Sequence, residues 1–162
     1  MAELTNLETK LGEVIGLAMA AQAATERVEK LTTDRKLTAA LKTMRKEAAQ
    51  AEKDGTAVAA SLNGKKSKIL AEARSVKTKG ATMMKTYLER GSDDLDGFEF
   101  LTMAEAGEVG HWSVLQELNK QARHPGVRKL VSTHLPIQKR HLKEVMAASL
   151  QLAAKEDANA EA

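Results

Sequence analysis

Leu4, Leu7, Leu11, Val14, Ala18, Ala21, Thr25 and Val28 fall on alternating steps of three and four residues. That spacing draws one stripe along about seven turns of a helix, whereas a strand would need a period of two. A helix striped over that length has to bury the stripe against other helices. The rest of the chain supplies them. Asp34 caps a second helix with the stripe Leu37, Leu41, Met44, Ala48, Ala51, Gly55, Val58 and Leu62, stopped by Asn63-Gly64. A third, from about Lys65 to Arg90, carries Ile69, Ala73, Val76, Gly80, Met83 and Tyr87 on one side. Gly91-Ser92 breaks it, and Ser92 with the acids that follow reads as the next N-terminal cap. The fourth helix runs from about Asp93 to Arg123, His124-Pro125-Gly126 breaks the chain, and a fifth continues to about Glu156.

Composition agrees. Apolar residues make up 43% of the chain but aromatics only 2%, so alanine, leucine, valine and methionine fill the interior, and there are only two prolines. These are good helix formers, and a sheet protein would need more β-branched and aromatic residues. The expectation is an all-α single domain over residues 1–156 with a polar tail at 157–162. The third helix is long enough to carry the chain back across the whole bundle. This allows two antiparallel helix pairs joined by a long helical crossover, although a simple five-helix bundle would show the same stripes.

The absence of cysteine rules out disulfides and thiolate metal sites. The start, MAELTNLETKLGE, lacks the basic-then-apolar pattern of a signal peptide, and the apolar run 14–24 is too short to span a bilayer. A cytoplasmic location is therefore expected. The net charge of +3 is uneven: residues 26–90 hold 16 basic and 8 acidic side chains, residues 91–162 hold 8 and 11. The lysines of the third helix (65, 66, 68, 77, 79 and 85) spread around its circumference, and the chain lacks aromatics for base stacking. Nucleic-acid binding is thus the weakest of the readings considered.

The polar residues that fall on apolar stripes are more informative. On the fifth helix His134, Gln138 and His141 share the buried arc of Val127, Val131, Val145 and Leu152. On the fourth, Glu105 lies among Phe98, Leu101, Val109 and Trp112, with Glu108 at the edge of that face. His111 belongs to a second apolar stripe with Phe100, Val114 and Leu118, so this helix needs two neighbours, one of which a homodimer would supply. Folding about residue 124 sets Glu105, Glu108, Gln138 and His141 in one layer. A buried, unpaired carboxylate requires a proton, a partner or a metal. The layer is either a Glu–His pair that satisfies itself or a metal site of carboxylate oxygens and neutral imidazole. Pro136 inside the fifth helix is expected to curve it around the bundle.

FEFLTMAEAGEVGHW (98–112), HLPIQKRHLKEV (134–145) and GLAMAAQAATERVEKL (16–31) resemble a bacterial, notably actinobacterial, family of ferritin-like domain proteins of unassigned activity. The resemblance implies a bundle whose di-iron pattern is a Glu on each of two helices and Glu-x-x-His on the other two. Glu105 then matches the single Glu of the fourth helix. Gln138-x-x-His141 stands where the last Glu-x-x-His belongs, with glutamine replacing the carboxylate. Glu47-x-x-Gln50 matches the second helix without its histidine. On the first helix Glu13 has the right spacing but points away from the stripe, and Gln22 and Glu26 face inward better. Glu108-Val-Gly-His111 is a complete Glu-x-x-His on the helix that should supply only one Glu. The resemblance implies iron, manganese or zinc, with Glu105, Glu108 and His141 as primary ligands and His111, His134, Gln138 and Glu47 accessory. Too few inward carboxylates remain for a two-ion centre. The competing expectation is a metal-free interaction module whose buried polar residues only fix the packing.

Overall fold

The computed structural model describes residues 3–162. Five helices follow one another: α1 Asn6–Glu29, α2 Arg35–Ala60, α3 Lys66–Tyr87, α4 Asp94–Ala122 and α5 Pro125–Ala153. No strand occurs among the described residues, so the all-α expectation holds, and the described residues form five helices. Thr5 and Glu8 close a capping box on α1, and Asp34 caps α2 by accepting from Lys36 and Leu37. On α4 the cap is Asp93, in a capping box with Asp96, rather than Ser92. The His124 side chain accepts from the Val127 amide at the start of α5. That helix runs unbroken through Pro136, which lies on its exposed side, and stops at Ala153. No helix among the described residues is long and apolar enough to cross a membrane.

Cross-helix contacts fix the directions. Glu29 meets Arg45 while Gln22 meets Glu52, so α1 and α2 are antiparallel. The same holds for α1 and α4, which join Glu13 to His111 and Val28 to Gly97. Asp54–His134 and Glu47–His141 make α2 and α5 antiparallel, as Thr102–Ser149 and Glu105–His141 do for α4 and α5. Helix α3 runs parallel to α1: Gly12 abuts Ile69 and Glu72, Gly16 abuts Ala73 and Val76, and Ala20 meets Gly80. The approach is close because these positions lack side chains. A Cβ on Gly16 would fall against the Ala73 carbonyl oxygen and 2.7 Å from the Cβ of Val76.

Two apolar clusters fill the interior. One joins Leu11, Ile15, Ile69, Trp112, Leu130 and neighbours; the other joins Val28, Leu41, Met44, Phe98, Leu101 and Val145 with theirs. The stripe expected on α3 is buried only at its beginning, at Ile69 and Ala73, while Met83 and Tyr87 are 47% and 55% exposed. Helix α3 sits on α1 and meets α4 sparsely, with Tyr87 stacked on Phe100, so the second half of its stripe is only partly covered.

Candidate functional site

Between the two apolar clusters lies a polar layer made by α2, α4 and α5. Glu105, Glu108, Gln138 and His141 are all buried, each 2% exposed or less. Across α4 and α5 the structure brings Glu105 beside His141, with Glu108 and Gln138 a turn away on the same two helices. Nε2 of His141 is 3.1 Å from Oε1 of Glu47 on α2, and its Nδ1 is 3.6 Å from Oε2 of Glu105 on α4. The second distance is too long for a hydrogen bond. Glu47 also pairs with Arg140, which continues to Glu144, 3.1 Å away on the next turn of α5.

The electrostatics follow from this burial. Burial works against an imidazolium at His141, but facing Glu105 and then Glu47 outweighs it, and the pKa rises above its ordinary value. Glu108 is driven well above the carboxylate range, first by burial and then by the neighbouring Glu105 charge. Among the described residues, Oε2 of Glu105, Oε2 of Glu108 and Oε1 of Gln138 have no hydrogen-bond partner. All three are acceptors in one layer, and an orphaned buried acceptor costs about 1–3 kcal/mol.

The remaining candidates lie elsewhere. His134 is buried about two turns from His141 and binds Oδ2 of Asp54 through Nε2 at 2.8 Å, its ring 5.7 Å from that of Trp112. It closes the neighbouring layer and is not in the cluster. His111 is partly exposed, with Nδ1 3.0 Å from Oε2 of Glu13 and 3.1 Å from Nζ of Lys10. It sits at the α1–α4 surface because the second stripe of α4 turns toward α1 and α3, away from α5. Helix α1 brings no carboxylate: between residues 18 and 28 it buries Ala18, Ala21, Ala24, Thr25 and Val28. Gln22 is taken up by Glu52, and Glu26 is exposed rather than inward. The Thr25 hydroxyl is spent on the Ala21 and Gln22 carbonyls.

Asp54, Arg140 and Glu52 are partners that the helix phases did not identify. Each is a long or flanking side chain whose contact depends on how two helices rotate against one another. The signal in reach was spacing: Glu47 and Asp54 are seven apart on α2, as His134 and His141 are on α5. Two such pairs on antiparallel neighbours meet end to end.

Among the described residues, no three His, Asp or Glu side chains stand close enough together to hold an ion as they are placed. Comparison with protein-family models, with characterised proteins and with solved structures gave no match.

Proposed function

We propose that this chain is a ferritin-like bundle that binds one divalent metal ion, of iron, manganese or zinc, in the polar layer between its last two helices. Glu105, Glu108 and His141 are the ligands, Gln138 is accessory, and Glu47 orients the imidazole from behind. The observation that carries the reading is the buried Oε2 of Glu105, without a hydrogen-bond donor and 3.6 Å from Nδ1 of His141, with the unpartnered oxygens of Glu108 and Gln138 one turn along the same two helices. Such a set calls for positive charge, and oxygen and imidazole suit all three metals. Two ligands of a tetrahedral ion at ordinary bond lengths stand roughly 3.3 Å apart, close to the Nδ1–Oε2 separation. Glu47 on Nε2 is the carboxylate–histidine arrangement that fixes a liganding ring. An α3 that returns parallel to α1 fits the crossover of the ferritin-like arrangement.

The absence of a carboxylate from α1 argues for one ion rather than two, and so against iron storage. When bound, the ion would supply Lewis acidity or small-scale redox chemistry with oxygen or peroxide. The protein's part is to bury the ligands, hold the ring of His141 through Glu47, and give up protons as the ion enters, since carboxylates and imidazole bind metal only when deprotonated.

The test is elemental analysis of protein purified without an affinity tag, then reconstituted with each metal in turn. About one ion per chain is expected, lost in Glu105→Ala and in His141→Ala. No uptake of any of the three by the folded wild type overturns the reading. A metal-free alternative rests on the same ring: an imidazolium hydrogen-bonded to Glu47 and facing Glu105 balances their charge. Under it the two variants lose about 1–3 kcal/mol of stability and nothing else.

A further inference from the structure

Because α3 is drawn onto α1 and barely meets α4, a cleft of about 230 Å³ remains between α3 and α4. Its floor is α1, where Ala20 and Ala24 leave room. Its walls include Gly80 and Met84 of α3 and Leu101 and Gly107 of α4. Almost all of this lining is apolar. The exceptions are Lys77 and His111, both reached by solvent, and Glu105 and Glu108, which are buried and close its inner side. Each of these two glutamates carries an Oε2 without a donor among the described residues. An apolar slot closed on its inner side by two buried glutamates, each with an unpartnered oxygen, has the form of a small-molecule site: the walls bind area and the few polar groups fix orientation. The volume is below the roughly 300–1,000 Å³ of a drug-sized pocket, so it admits a ligand of roughly ten non-hydrogen atoms.

The lining also selects the chemistry. A carboxylate or phosphate head offers no donor to these oxygens and brings a charge that would have to be stripped of water in the apolar slot. An ammonium head has donors, but stripping an ion of water to enter an apolar slot costs far more than stripping a hydroxyl. Methionine on the walls adapts to a flexible chain. We propose that the α3–α4 cleft binds a neutral aliphatic alcohol, its hydroxyl donating to Glu105 or Glu108 and its chain lying on the alanine floor. The inference goes beyond ion binding and requires no ion in the layer.

The test is calorimetric titration of chelator-treated, full-length protein with 1-octanol, octylamine and octanoate. One octanol per chain is expected, with octanoate and octylamine each at least about tenfold weaker. Gly107 lines the cleft and Gly110 does not, and a Cβ on either meets nothing within 4 Å. Gly107→Leu therefore fills the cleft without crowding the core, and should lose octanol affinity by at least about tenfold while Gly110→Leu keeps it. Metal uptake, measured on both variants, should stay at the wild-type level, so failure of the cleft is read separately from failure of the ion site. No octanol binding up to its solubility limit, tighter binding of octylamine or octanoate, or unchanged octanol binding in Gly107→Leu overturns the proposal.

Discussion

Gly16→Ala and Gly110→Ala make the same chemical change in the middle of two helices, and the structure assigns them opposite signs. In an exposed helix, replacing glycine by alanine stabilises by about 1 kcal/mol, because the unfolded glycine has more freedom to lose. A Cβ on Gly110 meets nothing within 4 Å, so it should show that gain in full. A Cβ on Gly16 would press on the Ala73 carbonyl oxygen and lie 2.7 Å from the Cβ of Val76. Non-bonded carbons rest at about 3.5–4.0 Å, so α3 has to move out by roughly 1 Å. The atom in the way is backbone, with no rotamer to yield, and the shift loosens Ile69 and Ala73, both fully buried. Overpacking of this kind costs about 1–3 kcal/mol. The upper end applies where a whole helix must shift, and the propensity gain leaves a net loss of about 2 kcal/mol.

The two variants should therefore differ by about 3 kcal/mol, or roughly 6–12 °C in Tm for a chain of this size. Thermal and urea unfolding followed by circular dichroism measure the gap. Equal stability of the two variants would refute the close seating of α3 on α1, and with it the reason for the cleft beside α4.

Two acidic residues should respond to pH in opposite directions. Burial would raise the pKa of Glu8, but the Thr5 amide, 2.7 Å away, and Lys65, 2.9 Å away, outweigh it and lower the pKa. Its contribution is present above the unfolded value and lost as pH falls through the folded one. Glu8→Ala should thus cost about 1 kcal/mol at pH 7, with the gap to wild type closing under acid in urea melts. A gap unchanged down to about pH 2 would contradict it. For Glu108 the folded pKa is raised, so above the ordinary carboxylate value the folded state binds more protons than the unfolded one, and stability falls as pH rises. In chelator-treated protein, Glu108→Gln should gain on wild type as pH rises above the ordinary carboxylate range; parallel profiles would place the charge of Glu108 in contact with water.

The helices, their order and the polar layer were legible in the sequence because each is a matter of phase. Glu105 and Glu108 on one helix, and Gln138 and His141 on the other, are set by a period of 3.6 and a short turn at residue 124. Asn63-Gly64 and Gly91 punctuate the chain for the same local reasons, with positive φ at all three residues. The α1–α3 seam was not legible. A stripe is found by looking for apolar side chains, whereas this contact is made by their absence at Gly12, Gly16 and Gly80. The displacement of His111 has the same origin. Its place on a second apolar stripe was correct, but which neighbour covers that stripe depends on where the crossover lies, and α3 lies across α1.

The position of α3 accounts for both the burial of the layer and the one side on which it is approached. Helices α2 and α5 close the layer with Glu47 and Arg140, whose long side chains pair across it. On the α1 side only Ala18, Ala21, Ala24 and Thr25 are presented, which brings the backbone near but supplies no charge. Had α1 carried a large side chain at positions 20 or 24, the space above Glu105 and Glu108 would be filled. With alanine there, covering those glutamates falls to α3. A helix held at glycine distance from α1 meets α4 near its end, where Tyr87 stacks on Phe100, and stands off Ala104 and Gly107 of α4. Small residues thus act twice, drawing α3 inward on one side and leaving the cleft open on the other. The two buried carboxyl groups consequently face an apolar cleft rather than bulk water, and that is the environment in which an unpartnered acceptor is most costly and a donor entering along the cleft gains most.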